Sequence, residues 1–491
     1  MPGVGVSPLA FVALVPWFAA QGRSRRMLPG LVCGALFAAV DLRWLLTLMR
    51  FTPLVALGYA ALVALLGASF GLLGVLIGWS RERFGDGIGL LVVAPIAYAA
   101  FEIVRAQGEL GLGFSTAYSA LARVPQFVQV ASLLGPWALT AAIVFVNGTL
   151  THAAGRSRAA LLAAGAAVGL LAAFGVMPIS PDGEPVDVSI VGSDVRQEIK
   201  LQGSEMETLL PYYLDLGRQA ADHDPDLIVF PESILPAFIL RDPELLGAFS
   251  RLAESTRTKI LLGTGHYEDG EITNRVALLT EDGQLDGTYA MMHPVPFGET
   301  VPGRALLERL GLAGWLRRML PLDLSRGTEY SLLQGIGAPI CFESTFPQIS
   351  RQFVRRGATL LVTVTNDAWF SGSSELQAHF ASAVFRAVEN RRYTLQAANG
   401  GISGIVDPRG RILASAAGET VINGSVAHRQ AQSAYVRYGD APLLVLFAVA
   451  LCAAAAWHRA SGDRRLPQGK RLAEGLRPSA KLHRFLKRRH A

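Results

Sequence analysis

Residues 52–80 read TPLVALGYAALVALLGASFGLLGVLIGWS, with no charged side chain anywhere in the run. A helix of about 20 mostly apolar residues crosses the hydrocarbon core of a bilayer, so this stretch predicts a transmembrane helix. Apolar runs of the same kind lie at 6–20, 27–49, 88–104, 126–150 and 159–178, and another at 441–457. The layout expected is six spans, a long polar insert and one further span. The run at 27–49 carries Asp41 and Arg43; these read as a pair near a helix end rather than as buried functional charges. No basic stretch precedes the first run, which therefore reads as a span and not as a cleaved signal peptide.

Composition points the same way. Apolar residues make up 51% of the 491 residues and charged residues 17%, against about 25% charged in an ordinary soluble domain. Mean hydropathy is +0.34. A disordered chain is excluded, and an ordinary cytosolic enzyme is a poor fit. The net charge of +6 is not spread evenly, because residues 459–491 hold eleven Lys or Arg against Asp463 and Glu474. That clustering argues for a membrane-flanking tail and against a nucleic-acid partner.

Arginine placement orients the chain. Arg23, Arg25 and Arg26 fall in the first loop between spans, Arg81 and Arg83 in the third, and Arg156 and Arg158 in the fifth. The second loop has Arg50 at its edge, and the fourth has Arg105 and Arg123. Basic residues concentrate on the cytoplasmic side, so the odd loops and the tail are expected there. The N-terminus and the insert are then outside. The expected division is a membrane domain at 1–180, an extracytoplasmic domain at 181–438, a last transmembrane helix at 439–458 and a basic cytoplasmic tail at 459–491.

The insert reads as α/β. Strand-like runs fall at 186–191, 227–230, 260–263, 275–279, 338–342, 359–365, 404–406 and 420–421. Helix-like runs fall at 205–221, 243–256, 345–355 and 375–391. Such alternation predicts sheets covered by helices, with functional residues at the carboxyl ends of strands. Glu232, Cys341 with Glu343, and Asn366-Asp367 stand at such ends.

Three cysteines exclude a disulfide scaffold. Cys33 and Cys452 lie in apolar runs and read as small hydrophobes. Cys341 is the only thiol of the polar insert, and a thiolate is a strong nucleophile once a base takes its proton. Glu232, just past an apolar strand and Pro231, is a candidate base. Each has a bland counterpart: an inert buried thiol for Cys341, a helix N-terminal carboxylate for Glu232. No Ser-His-Asp signature, Gly-rich phosphate loop or metal-ligand spacing is present, and His266, His293 and His379 lack a Cys–His protease spacing. Neither a metal nor an organic cofactor is expected.

Several motifs in fixed order carry a family resemblance. They are Phe230-Pro231-Glu232-Ser233, Pro294-Val295-Pro296-Phe297-Gly298-Glu299-Thr300-Val301-Pro302, Ile340-Cys341-Phe342-Glu343 and Asn366-Asp367-Ala368-Trp369-Phe370. They continue through His379-Phe380, Arg386 to Arg391, Asn399-Gly400-Gly401-Ile402-Ser403 and Asp407-Pro408-Arg409-Gly410-Arg411, with Glu102-Ile103-Val104-Arg105 and Gly113-Phe114 before the insert. Together they resemble apolipoprotein N-acyltransferase, the membrane-bound branch of the nitrilase (carbon-nitrogen hydrolase) superfamily. The resemblance implies a multi-pass α-helical membrane bundle carrying an α/β, nitrilase-like α-β-β-α sandwich. It implies a Glu–Lys–Cys triad in which the cysteine takes an acyl chain from a phospholipid as a thioester. The α-amino group of a diacylglyceryl-cysteine at a lipoprotein N-terminus then receives that chain. Carried over, Cys341 is the nucleophile and Glu232 the base; Glu343 matches a glutamate beside the cysteine, and Glu299 one in the loop over the site. The implied partners are a phospholipid donor, a diacylated apolipoprotein acceptor and membrane lipids, for a monomer in the bacterial inner membrane with its catalytic domain on the periplasmic side.

The departures are specific. The family's catalytic lysine lies eight residues before the glutamate matched by Glu299, and Met291 stands there. Lys259 begins a strand, at the end away from the site, whereas Lys200, read as lying in a loop, is able to reach in. Leu201 replaces a common tryptophan, and Gly113-Phe114-Ser115-Thr116 replaces a Gly-Phe-Pro-Trp pattern. Three readings follow: an active N-acyltransferase with an altered triad, an impaired paralogue that binds lipid or lipoprotein, and a membrane-anchored amidase. Retention of Cys341, Glu232, Glu299 and Glu343 favours the first, and the missing lysine favours the second.

Overall fold

The computed structural model describes residues 7–153, 158–176, 178–179, 183–202, 206–312, 314 and 323–463. Arg156 and the tail beyond residue 463 lie outside the described residues. Four straight helices are long and apolar enough to cross a membrane: Val55–Phe84, Asp86–Arg105, Arg158–Gly175 and Ala441–Ala460. Two further apolar runs are bent. Leu28–Asp41 and Arg43–Arg50 meet at 47°, and Pro125–Leu134 and Trp137–Ala153 at 119°. The first run is a short turn, Ser7–Phe11, followed by the helix Val15–Gln21. The described residues thus hold four spans, or six if each bent pair is one, where the run lengths predict seven.

The breaks have local causes. Asp41 is the last residue of its helix, as expected, but its carboxylate accepts the Ser115 hydroxyl at 2.6 Å, and among the described residues no ion pair joins it to Arg43. At residue 135, Gly135 adopts φ +80° and is followed by Pro136, which has no N–H to continue the ladder. The Leu28–Asp41 and Val55–Phe84 helices lie so close that a Cβ on Gly30 would stand 2.2 Å from the Phe70 carbonyl. Small residues that let backbones approach are the usual membrane packing device.

Residues 185–427 carry eleven strands: β1 Pro185–Gly192, β2 Leu227–Val229, β3 Lys259–Glu268, β4 Glu271–Leu279, β5 Leu285–Ala290, β6 Ile336–Gly337, β7 Leu360–Asn366, β8 Thr394–Asn399, β9 Ile402–Val406, β10 Ile412–Ala417 and β11 Thr420–Ala427. They form a six-stranded sheet, β11-β1-β2-β3-β4-β5, and a five-stranded sheet, β10-β9-β8-β7-β6. β1, β2 and β3 run parallel, as do β6, β7 and β8. Leu227, Val229, Leu261 and Val276 face the core between the sheets, with Val362, Val364 and Leu395 from the other side. The alternate residues Ile228, Phe230, Ile260 and Leu262 pack outward on Tyr213, Leu216, Phe249 and Leu252 of the helices Met206–Ala221 and Pro243–Thr256. The second sheet is covered by Pro347–Arg355 and Glu375–Asn390, whose Phe353, Phe380 and Val384 are buried. This is the α-β-β-α sandwich. Strands buried on both faces read as continuous apolar runs, which is why β2, β3 and β7 are visible in the sequence.

Two expectations are corrected. The run 338–342 is not one strand: only Ile336–Gly337 pairs regularly, Ile340 makes a single bridge to Val364, and Cys341–Thr345 is a 3-10 turn. Pro339 lacks an N–H for a ladder, and the Ile340 N–H is taken by the Glu343 carboxylate at 2.9 Å. Lys200 lies in the short helix Gln197–Gln202, not in a loop. β5, β8 and β10 add three strands that the sequence pattern does not mark.

Candidate active site

The carboxyl ends of β2, β6 and β7 meet above the core, and each delivers one chemical group. After β2 the chain passes Pro231 and places Glu232, 4% exposed, beside β3. The approach demands glycine, because a Cβ on Gly263 would lie 2.5 Å from the Glu232 Cα. Ser233 then turns at φ +45°. The Glu232 carboxylate is aimed by two donors: Asn274 Nδ2 to Oε1 at 2.6 Å and the Asn366 N–H to Oε2 at 2.7 Å. Burial pushes its pKa up, while these donors oppose the shift. A buried carboxylate with a raised pKa is suited to act as a general base, and its donors come from Asn274 and Asn366 rather than from the first turn of a helix that it caps.

Cys341 occupies a left-handed elbow at φ +48°, a conformation held by non-glycine residues mainly where surrounding structure imposes it. Burial pushes the thiol pKa well up, and the charges of Glu232, Asp367 and Glu299 act in the same direction. The resting group is the thiol, so attack requires proton transfer to a neighbour.

The other two acids serve differently. Glu343 accepts from the Tyr289 hydroxyl at 2.8 Å, from the N–H groups of Met292 at 2.7 Å and His293 at 3.0 Å, and from Ile340. Its carboxylate brackets the end of β5 to the turn that carries Cys341. Burial pushes it up to about 7 despite those donors. Glu299 accepts the Val295 N–H at 2.8 Å, and burial, then Glu232, push it up to about 8.

Met291 is 0% exposed at the end of β5, its N–H donating to the Asn274 carbonyl at 2.8 Å. It brings no charge to this group of carboxyls. Lys200 is 7% exposed. Its ammonium donates to the Ser233 carbonyl at 3.0 Å, and burial pushes it down to about 7 against the pull of Glu232. Lys200 thus reaches the turn behind Glu232 and is committed to the main chain there.

Sequence reasoning missed the support behind the nucleophile. His379 is dismissed on spacing, yet its Nε2 stands 3.0 Å from the Cys341 carbonyl and its Nδ1 2.8 Å from Asp367 Oδ1. Glu375 Oε1 is 3.6 Å from Nδ1. The available signal was the i, i+4 pair Glu375 and His379 on the buried face of a helix. Asp367, Glu375 and His379 are, among the described residues, the one trio of this kind with ligand atoms within 4.8 Å of one another. Both His379 nitrogens are already committed, so the trio is built as a hydrogen-bonded charge cluster and not as a cation site.

The membrane helices close the site. Arg50 donates to the carbonyls of Ala368 at 2.7 Å and Trp369 at 3.0 Å, and Trp44 packs edge-on to Phe370 at 5.0 Å. Phe114 stacks over Phe342 and His379, each at 6.0 Å. Opposite, Glu109 pairs with Arg326 at 3.1 Å near the loop that carries Glu299. Membrane-helix residues thus pack against the turns that flank Cys341 and Asp367.

Residues 198–436 match the carbon-nitrogen hydrolase family, and residues 1–149 match the apolipoprotein N-acyltransferase N-terminal domain. The chain is 32% identical to an apolipoprotein N-acyltransferase of Geobacter metallireducens, over 94% of this chain and 92% of that one. It is 30% identical to an apolipoprotein N-acyltransferase of Methylococcus capsulatus, over 96% and 95%. A nitrilase-superfamily structure from Saccharomyces cerevisiae matches 51% of this chain and 93% of that chain, with 19% identity and a TM-score of 0.39. Neither the impaired-paralogue nor the amidase reading gains support from these matches. With the motif order, the sandwich and the bent membrane helices all accounted for over nearly its whole length, the chain belongs to the apolipoprotein N-acyltransferase family.

Proposed function

We propose that this protein moves an acyl chain from a phospholipid to Cys341 and then to the α-amino group of a lipoprotein's N-terminal diacylglyceryl-cysteine. The observation that carries this reading is the meeting of the buried Glu232 carboxylate, aimed by Asn274 and the Asn366 N–H, with the left-handed elbow of Cys341, in a domain against which the membrane segment ending at Arg50 packs. In the first step Glu232 takes the thiol proton as sulfur attacks the ester carbonyl. The carbon–oxygen bond of the ester breaks, and the proton returns to the departing alkoxide of the lysophospholipid. A thioester remains. In the second step the lipoprotein amine attacks the thioester carbonyl and loses a proton through Glu232. The amide forms and the thiol is restored. A covalent intermediate lets two bulky lipids use one cleft in turn. Glu299, in the loop opposite the thiol, is placed to contact substrate, and Glu343 holds the nucleophile turn. With catalysis at a membrane-facing cleft, the catalytic sandwich sits on the periplasmic side, where the arginine-rich loops leave it, and the donor and acceptor arrive by diffusion in the bilayer.

The test is intact-mass analysis of the purified protein after incubation with phosphatidylethanolamine vesicles. An acyl adduct that maps to Cys341, and that passes to an added diacylglyceryl-cysteine peptide, is expected. Cys341→Ser should fold, form no adduct and give no N-acyl product, whereas Cys33→Ser and Cys452→Ser should behave as wild type. N-acylation by Cys341→Ser at the wild-type rate refutes the mechanism.

A further inference from the structure

Both reacting residues stand at turns with positive φ, Glu232 just before Ser233 (+45°) and Cys341 itself (+48°). Each turn has its carbonyl gripped by a buried basic side chain: Ser233 by Lys200 and Cys341 by His379. The second grip has the stricter chemistry. A carbonyl oxygen only accepts, so Nε2 must carry a hydrogen to bond Cys341 at 3.0 Å. On the other edge Nδ1 lies 2.8 Å from Asp367 Oδ1, and a carboxylate there also asks for a donor. Asp367 Oδ1 is held in turn by the Thr365 hydroxyl at 2.6 Å. One carboxylate therefore ties the ring that grips the Cys341 carbonyl to the carboxyl end of β7.

We infer that His379 is the positioning residue of the nucleophile: as an imidazolium bridged to Asp367, it holds the Cys341 carbonyl and keeps the left-handed elbow aimed at Glu232. It touches neither substrate nor the reacting atoms. The assignment rests on Cys341 as the nucleophile and adds what keeps it in place. The ring's counter-charge is Asp367, since burial and Asp367 hold Glu375 well above the usual carboxylate range. Asp367 faces Nδ1 from the turn after β7, and Glu375 lies one helical turn back on the same helix. The Ser344 hydroxyl shares Nε2 at 2.9 Å, and the Phe114 ring, which is uncharged, packs on the open side. Arg386, on the same helix, is paired with Glu389 at 2.7 Å. Burial alone would push the imidazole down, but Asp367, its hydrogen bond and Glu375 outweigh burial and push it up to about 9. A neutral ring would leave a lone pair facing either the Cys341 carbonyl or the Asp367 carboxylate, so loss of the proton must loosen one grip.

The experiment uses the full-length protein carrying Cys33→Ser and Cys452→Ser. Single-turnover formation of the Cys341 acyl-thioester from phosphatidylethanolamine vesicles is followed by intact mass for wild type, His379→Ala and His379→Gln. Glutamine retains an N–H donor and cannot lose it to base. His379→Ala should slow the step about 10- to 100-fold, as expected for a lost hydrogen bond to a charged donor. His379→Gln should recover to within about threefold of wild type and should lack the decline that wild type shows as pH rises through about 9. A merely structural role would not produce that difference in pH profile. An alanine variant as fast as wild type, or a glutamine variant no faster than alanine, overturns the inference. If wild type forms no thioester at all, the acyl-transfer reading fails. The positioning role is then read from iodoacetamide alkylation of Cys341 at pH 7, where the same order of the three proteins is required. If the alanine variant does not fold, the imidazole carbon shifts of His379 in wild type decide, because a neutral ring at pH 7 overturns the inference.

Discussion

Met291→Lys is expected to accelerate thioester formation. The methionine side chain is fully buried at the end of β5, level with Asn274, whose amide aims Glu232. Lysine is of similar length, so its ammonium would enter the space shared by Glu232, Glu299 and Glu343. These three carboxyls now lack a common cation, and Glu299 responds by holding its proton up to about pH 8. A unit charge about 4 Å from one carboxylate gains about 4 kcal/mol at an effective dielectric constant near 20. Removing the ammonium from water costs several kcal/mol. The two nearly cancel, so stability is expected to change by no more than about 2 kcal/mol. The rate is another matter, because the lysine would add a donor where negative charge develops on the attacked carbonyl. One such donor is worth about 10²–10³ in rate, or about 2.7–4 kcal/mol. The assay is single-turnover acyl-adduct formation by intact mass, with thermal unfolding measured alongside. A folded variant that is no faster than wild type would refute the view that this site runs short of positive charge.

The other predictions are narrower. Lys200→Met is expected to slow thioester formation about tenfold by releasing the Ser233 carbonyl behind Glu232, and Met291→Lys should not rescue it; full activity in Lys200→Met would show that the grip is dispensable. Glu299 carries a proton to higher pH folded than unfolded, so its contribution to stability is complete below about pH 4.5 and is lost as pH rises through about 8. Glu299→Gln should flatten thermal stability between about pH 4.5 and 8, and an unchanged slope would count against that origin. A periplasm-active reporter inserted within residues 270–285 should be active and one placed after Arg465 inactive; the opposite pattern would reverse the orientation.

What was legible in the sequence followed physical visibility. β2, β3 and β7 announce themselves through runs of Leu, Ile and Val, whereas β8, reading TLQAAN, is just as buried but built of small or polar residues, and β10, reading ILASAA, is half-exposed. They are strands because neighbouring strands supply their hydrogen bonds, a property no local pattern records. The spans show the converse failure. The runs at 27–49 and 126–150 are apolar enough to cross a bilayer, and composition says nothing of the Asp41–Ser115 bond or the Gly135-Pro136 break that bend them. The bends matter to the site, since the segment after Asp41 carries Trp44 and Arg50 to the turn at Ala368–Phe370.

At the site itself, the groups at strand ends were legible and the groups behind them were not. Glu232 and Cys341 are readable because a polar residue directly after a buried strand has little other reason to be there. Glu343 was readable as a neighbour of the nucleophile, but its work, accepting N–H groups from Met292, His293 and Ile340, depends on β5 arriving from 50 residues away. His379 was seen and set aside because the spacing of a Cys–His pair was sought, when the ring serves the cysteine's carbonyl and not its sulfur. That distinction has a chemical consequence. A histidine on the sulfur would compete with Glu232 for the thiol proton and draw the cysteine toward a resting thiolate. A histidine on the carbonyl leaves the proton to Glu232 and keeps the thiol neutral until a substrate carbonyl arrives, which suits a nucleophile that must wait in a membrane for an ester.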